Sequence, residues 1–158
     1  MSGQNFVYLT RERLIELEKE LQVMKISGRK EMASKIAEAR AHGDLSENAE
    51  YDAAKEEQLL FEMRIAKLED VLSRVRVIDT SKMNTDEVHI LSKVKIKNVK
   101  TKKIVEYLLV SPEEADFHAG KISVTSPVGQ GLIGAKAGQK IQVKAPAGLL
   151  EFEILEIN

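Results

Sequence analysis

Residues 36–55 read IAEARAHGDLSENAEYDAAK, and the reading of this stretch decides the fold. On both sides of it run Glu, Lys, Arg, Leu and Ala, the strong helix formers, with no proline between Thr10 and Arg76. Gly43 interrupts the run. The pattern therefore predicts one helix from Thr10, its N-cap, to His42 and a second from about Ser46 to Arg76. A turn of only a few residues between them forces an antiparallel hairpin. At a rise of about 1.5 Å per residue, such an arm is on the order of 45 Å long.

Outward from the turn, the apolar positions show how the helices meet. Leu14, Leu17, Leu21 and Met24 alternate steps of three and four, the seam of a coiled coil. Gly28, Met32 and Ile36 follow in steps of four, a stutter that locally relaxes the supercoil. Gly28 leaves room for a close approach of the partner helix. In the second helix Phe61, Ile65, Leu68, Leu72 and Val75 repeat the seam. Near the turn it shrinks to Ala49, Ala53 and Ala54, expected to lie opposite Ala33, Ala37 and Ala41.

At Val77 the pattern changes, and the chain divides into a helical hairpin at 1–78, a polar linker at 79–85 and a second domain at 86–158. There the apolar period falls to two. Val88 to Val99 and Lys103 to Val110 read as strands joined by a Lys-rich turn. Ser111, Pro112, Glu113 and Glu114 make a capping box with proline at the first helical position, predicting a short helix to Phe117. Lys121 to Thr125 reads as a strand, Gly131 to Gly138 as a loop or short helix, and Lys140 to Lys144 with Leu149 to Ile157 as a closing hairpin. The fold class is α+β: a long antiparallel coiled-coil hairpin followed by a small, mainly antiparallel sheet domain with a short helix.

The composition excludes several functions. Lys plus Arg number 24 against 25 for Asp plus Glu, so any contact with nucleic acid must be local rather than driven by net charge. The absence of cysteine removes disulfides, thiolate metal sites and a cysteine nucleophile, and fits a reducing cytoplasm. No signal-peptide core and no apolar run of about 18 residues occurs, so a cytoplasmic protein without a membrane span is expected. His42, His89 and His118 have no metal-ligand spacing.

The turn itself admits two readings. Asp44 as N-cap with Glu47 three residues on is a capping box, and Glu50 and Asp52 suit the positive end of a helix dipole. Four acids in so short a stretch also repel one another. Such a cluster suits Mg²⁺, which takes carboxylate oxygens and is commonly shared with substrate phosphates. Two carboxylates are too few to hold the ion alone, so the tip reads as half of a metal site. Arg40 and Lys55, on either side, could neutralise the acids or contact nucleic-acid phosphates.

The run from Gly43 to Tyr51, preceded by Ile36 to His42, resembles the tip of the Gre family of transcript-cleavage factors. The likeness continues through Glu113 to Phe117, Ser126 with Pro127, and Gly131 to Gly134. It implies an accessory factor, not itself an enzyme, for bacterial RNA polymerase. Family members insert the coiled coil through the polymerase's secondary channel. There Asp44 and Glu47 would help hold a second Mg²⁺ and position water for cleavage of the backtracked RNA at its 3′ end. Asn48, Glu50 and Tyr51 would support the tip. The second domain would be similar to FK506-binding proteins and would grip the polymerase near the channel entrance through Ser126 and Pro127, with Thr125 where some members carry an acid. Arg and Lys interleaved with Glu along the arm point to the less basic of the family's branches. The factor is expected to act as a monomer.

Two alternatives stand beside this reading. One is a noncatalytic coiled-coil interaction protein or channel-binding inhibitor on the same frame. The other is a prolyl isomerase, suggested only by fold analogy, against which the 4% aromatic content argues.

Overall fold

The computed structural model describes residues 5–43 and 48–158. The chain forms two compact units, Glu12–Arg74 and, in the other, residues up to Arg11 together with Val75–Asn158. Among the described residues no helix is long and apolar enough to cross a membrane.

In the helical unit, α1 (Arg11–Val23) leads through a π-helical turn at Met24–Gly28 into α2 (Arg29–Arg40), and α3 (Ala49–Ser73) follows the turn. The single first helix expected from sequence is thus divided at the stutter. A π turn takes up the extra residue there and returns the seam to the partner. Cross-helix ion pairs fix the direction: Lys25 with Glu69, Arg29 with Glu62 and Lys35 with Glu57, at 2.7, 2.9 and 2.7 Å. Their numbers rise on one helix as they fall on the other, so the helices run antiparallel.

Met32, Phe61 and Ile65 form the buried seam, with Leu21 and Met24 packed against it. A Cβ on Gly28 would overlap the Phe61 ring, which is the close approach anticipated for that glycine. Nearer the turn, the expected facing row of Ala33, Ala37 and Ala41 is exposed and Ala39 is buried instead. Steps of four and three from Met32 lead to Ile36 and Ala39, so the face set by the large residues continues to the tip.

The second unit begins with a strand absent from the sequence reading. β1 (Val7–Leu9) pairs in parallel with β2 (Val75–Val77). Pairing of the two segments takes Val75 out of the helical seam, and the compact units divide after Arg11 and before Val75.

The main sheet has the order β5-β4-β3-β7-β6, built from β3 (Lys93–Asn98), β4 (Ile104–Val110), β5 (Lys121–Ser123), β6 (Lys140–Ala145) and β7 (Gly148–Ile157). All its pairings are antiparallel except β4 with β5. Alternate residues Val94 and Ile96 face a core shared with Leu109, Leu132, Phe152 and Ile154. The strand predicted from Val88 starts only at Lys93, since Leu91 takes a positive φ of 70° and Val88 donates its N–H to Ala135 instead.

The predicted helix at 112–117 is replaced by two 3₁₀ turns, Pro112–Glu114 and Phe117–Ala119. The buried Ser111 hydroxyl accepts from the Tyr8 N–H at 2.9 Å and makes no cap. The short helix α4 (Pro127–Leu132) starts earlier than the Gly131–Gly138 segment expected to hold it.

Candidate functional site

The tip is built from the last turn of α2 and the first turn of α3. α2 unwinds over Ala41 to Gly43: Ala41 donates to the Ala37 and Glu38 carbonyls, His42 to Ala39 and Gly43 to Arg40. Gly43 itself sits at φ 124°, a conformation that side chains disfavour. α3 then begins at Ala49 with Asn48 as its N-cap. The sequence reading gave that position to Asp44. Asn caps as well as Asp does, and Asn48 stands where its side chain meets the first free N–H groups.

Asn48 joins the two helices. Its Oδ1 accepts from the Tyr51 N–H at 3.0 Å while its Nδ2 donates to the Ala39 carbonyl at 2.6 Å. That carbonyl belongs to the last turn of α2 and already accepts from the His42 N–H at 3.2 Å, so the Asn48 bond occupies its second lone pair. A second strap runs alongside: the Arg40 guanidinium lies 5.6 Å from the centre of the Tyr51 ring. A hydrogen bond from Arg40 lowers the Tyr51 hydroxyl pKa from its ordinary value, with Lys55 adding a smaller electrostatic contribution in the same direction. Glu50 faces His42 at 3.6 Å, both exposed. Lys55 donates to Gln58 at 3.2 Å. Beside these groups lies a cleft of about 430 Å³ lined by Lys35, Glu38, His42, Glu50 and Glu57.

Asp44 and Glu47, the proposed metal and catalytic acids, lie outside the described residues. Among the described residues no group of three His, Asp or Glu could hold a metal ion. Two carboxylates are a hard oxygen donor set that fits Mg²⁺ only if other ligands come from elsewhere.

In the sheet unit, Ser126 and Pro127 open α4. The Ser126 hydroxyl accepts from the Gly129 N–H at 3.0 Å and donates to the Ser123 carbonyl at 2.6 Å, and Pro127 occupies the first turn. Gly129 is required, because a Cβ there would overlap the Ser123 carbonyl. The pair borders an apolar cavity of about 420 Å³ with Tyr107, Phe117, Ile122, Val128 and Pro146. Sequence reasoning missed these residues. The Tyr107 and Phe117 rings stand 6.4 Å apart, so a chain poor in aromatics still gathers two at one opening, and the compositional argument against an aromatic pocket does not hold. Phe117 is 72% exposed.

The N-terminal family model for transcription elongation factors matches residues 7–77, and the GreA/GreB C-terminal model matches residues 83–158. The transcription elongation factor GreA of Amoebophilus asiaticus is 56% identical over 151 residues, covering 96% of both chains. That of Chlorobium phaeobacteroides is 55% identical over 152 residues with the same coverage. Among solved structures, the GreA factor homolog 1 (Gfh1) protein of Thermus thermophilus is 27% identical, covering 98% of this chain and 99% of that one, with a TM-score of 0.45.

Proposed function

Because this chain belongs to the GreA/GreB family of transcription elongation factors, we propose that it acts on RNA polymerase by delivering two carboxylates to the enzyme's own active centre. In this reading the helical unit is a coiled-coil hairpin that enters the secondary channel. Asp44 and Glu47 complete a Mg²⁺ site there, beside the 3′ end of backtracked RNA. When bound, the ion supplies charge stabilisation and an activated water for phosphodiester hydrolysis. The chain's residues bind and orient: the two acids offer oxygens, and Asn48, Glu50 and Tyr51 hold the tip. Arg40 is engaged with Tyr51, which favours neutralisation and support of the tip over contact with RNA phosphates for that residue. Lys55 is exposed and remains available to RNA. The chain is an accessory factor, cytoplasmic and monomeric, and the hydrolysis belongs to the polymerase.

The sheet unit, an FKBP-like domain in this reading, grips the polymerase near the channel entrance through Ser126, Pro127 and the apolar opening beside them. The observation that carries the proposal is the tip: two antiparallel helices are tied together by Asn48 at the point where the sequence places Asp44 and Glu47.

Stalled, backtracked elongation complexes with Mg²⁺ test it. Added protein should accelerate release of short RNA from the 3′ end and restore elongation. Inhibition without cleavage would favour the channel-blocking alternative and reject this one.

A further inference from the structure

We propose that Asn48 is a positioning residue whose carboxamide sets the separation of α2 and α3 at the tip, and so fixes the two chain ends between which Asp44 and Glu47 are carried. Its consequence for cleavage rests on the function proposed above. Three observations lead to it. First, the two bonds of Asn48 come from one planar group, a donor to Ala39 on one helix and an acceptor from Tyr51 on the other. Movement of either helix breaks one of them. Second, packing alone is weak here. Ala39 is buried, but Ala53 is exposed and Ala54 only half-buried, and the large buried side chains Met32, Phe61 and Ile65 lie farther along the pair. Third, the Arg40–Tyr51 strap joins a neighbour of Ala39 to the residue that Asn48 caps, so both straps converge on the same pair of turns.

Residue chemistry distinguishes this role from simple capping. Ser, Thr and Asp cap a helix as Asn does. An ionised Asp has no donor for Ala39, and the side chain of Ser is too short to serve both helices. Only the carboxamide supplies donor and acceptor at this reach. Two carboxylates meant to share one ion must be held within about 0.5 Å of their working geometry, which a cap on one helix does not provide.

The test compares the full chain with its Asn48→Ser and Asn48→Ala variants. Because the chain has no cysteine, spin labels can be placed at Ala41→Cys and Asp52→Cys, both exposed. Asn48→Ser should keep the thermal midpoint of the helical unit close to the parent's yet broaden the label distance distribution. At matched polymerase occupancy, cleavage should fall about 10- to 100-fold, and half-maximal rate should need more Mg²⁺. Asn48→Ala should add a loss of thermal stability to the same defects. A parent-like distance distribution in Asn48→Ser would overturn the clip. A broadened distribution with parent-like cleavage would overturn its positioning role. If the parent protein stimulated no cleavage, the function proposed above would fall, while the label distances would still decide whether Asn48 sets the tip.

Discussion

In the sheet unit Val94, Ile96, Leu109, Leu132 and Ile154 are wholly buried in one contiguous core. Along the helical pair, Met32, Phe61 and Ile65 are inside while Ile26, Leu59, Leu60 and Met63 stand in solvent. The sheet unit has a volume to fill, and many side chains share the burial. The helical pair has only a seam, so a few knobs, the close approach at Gly28 and the end clip at Asn48 carry its geometry. A thin element depends on each of its contacts, and the function proposed above, entry into a channel, calls for a thin one.

Core truncations should separate the two units most strongly. Phe61→Ala should cost the helical pair about 3–5 kcal/mol, and Ile154→Ala should cost the sheet unit about 2–5 kcal/mol. Amide exchange should show the first loss confined to the helical unit and the second to the sheet unit. Loss of sheet protection in Phe61→Ala would break the comparison. Gly28→Ala comes next. Alanine favours helix by about 1 kcal/mol, but its methyl must displace the Phe61 ring. A net loss of about 1–3 kcal/mol is expected, and a thermal midpoint at or above the parent's would show that the ring moves freely.

The smallest effect should come from the ion pairs along the helices. The Arg29 guanidinium donates to both carboxylate oxygens of Glu62, at 2.9 and 3.0 Å, and holds its pKa below the ordinary carboxylate value. A depressed carboxylate contributes stability that is present above its unfolded pKa and lost as pH falls through the folded one. Both groups are exposed, so solvent screens the pair. Acid titration of the helical unit should therefore show a shallow decline below the ordinary carboxylate range. Glu62→Gln should remove that part of the decline and change stability near neutrality less than either core truncation.

The helices were legible because their seam repeats: Met32, Phe61 and Ile65 lie at positions the spacing marks, and the stutter coincides with the π turn. What was not legible depends on partners distant in sequence. Val7–Leu9 is too short to show a period, and its partner Val75–Val77 continues a helical spacing by coincidence. Ser111 carries the capping-box pattern but spends its hydroxyl on Tyr8. Ser126 followed by Pro127 is an N-cap and first-turn signature that opens α4, whereas the short helix is expected from sequence only within Gly131 to Gly138. At the tip, the capping role went to Asp44 when Asn48 holds it, since both residue types cap and spacing alone does not choose between them.

On the function proposed above, the helical pair presents Asp44 and Glu47 to the polymerase's active centre. Cleavage of backtracked RNA, followed with the parent protein and Asp44→Asn at equal polymerase occupancy, tests it most directly. The account predicts rapid Mg²⁺-dependent cleavage with the parent and a loss of at least about 100-fold with Asp44→Asn. Equal cleavage by the two proteins would contradict it.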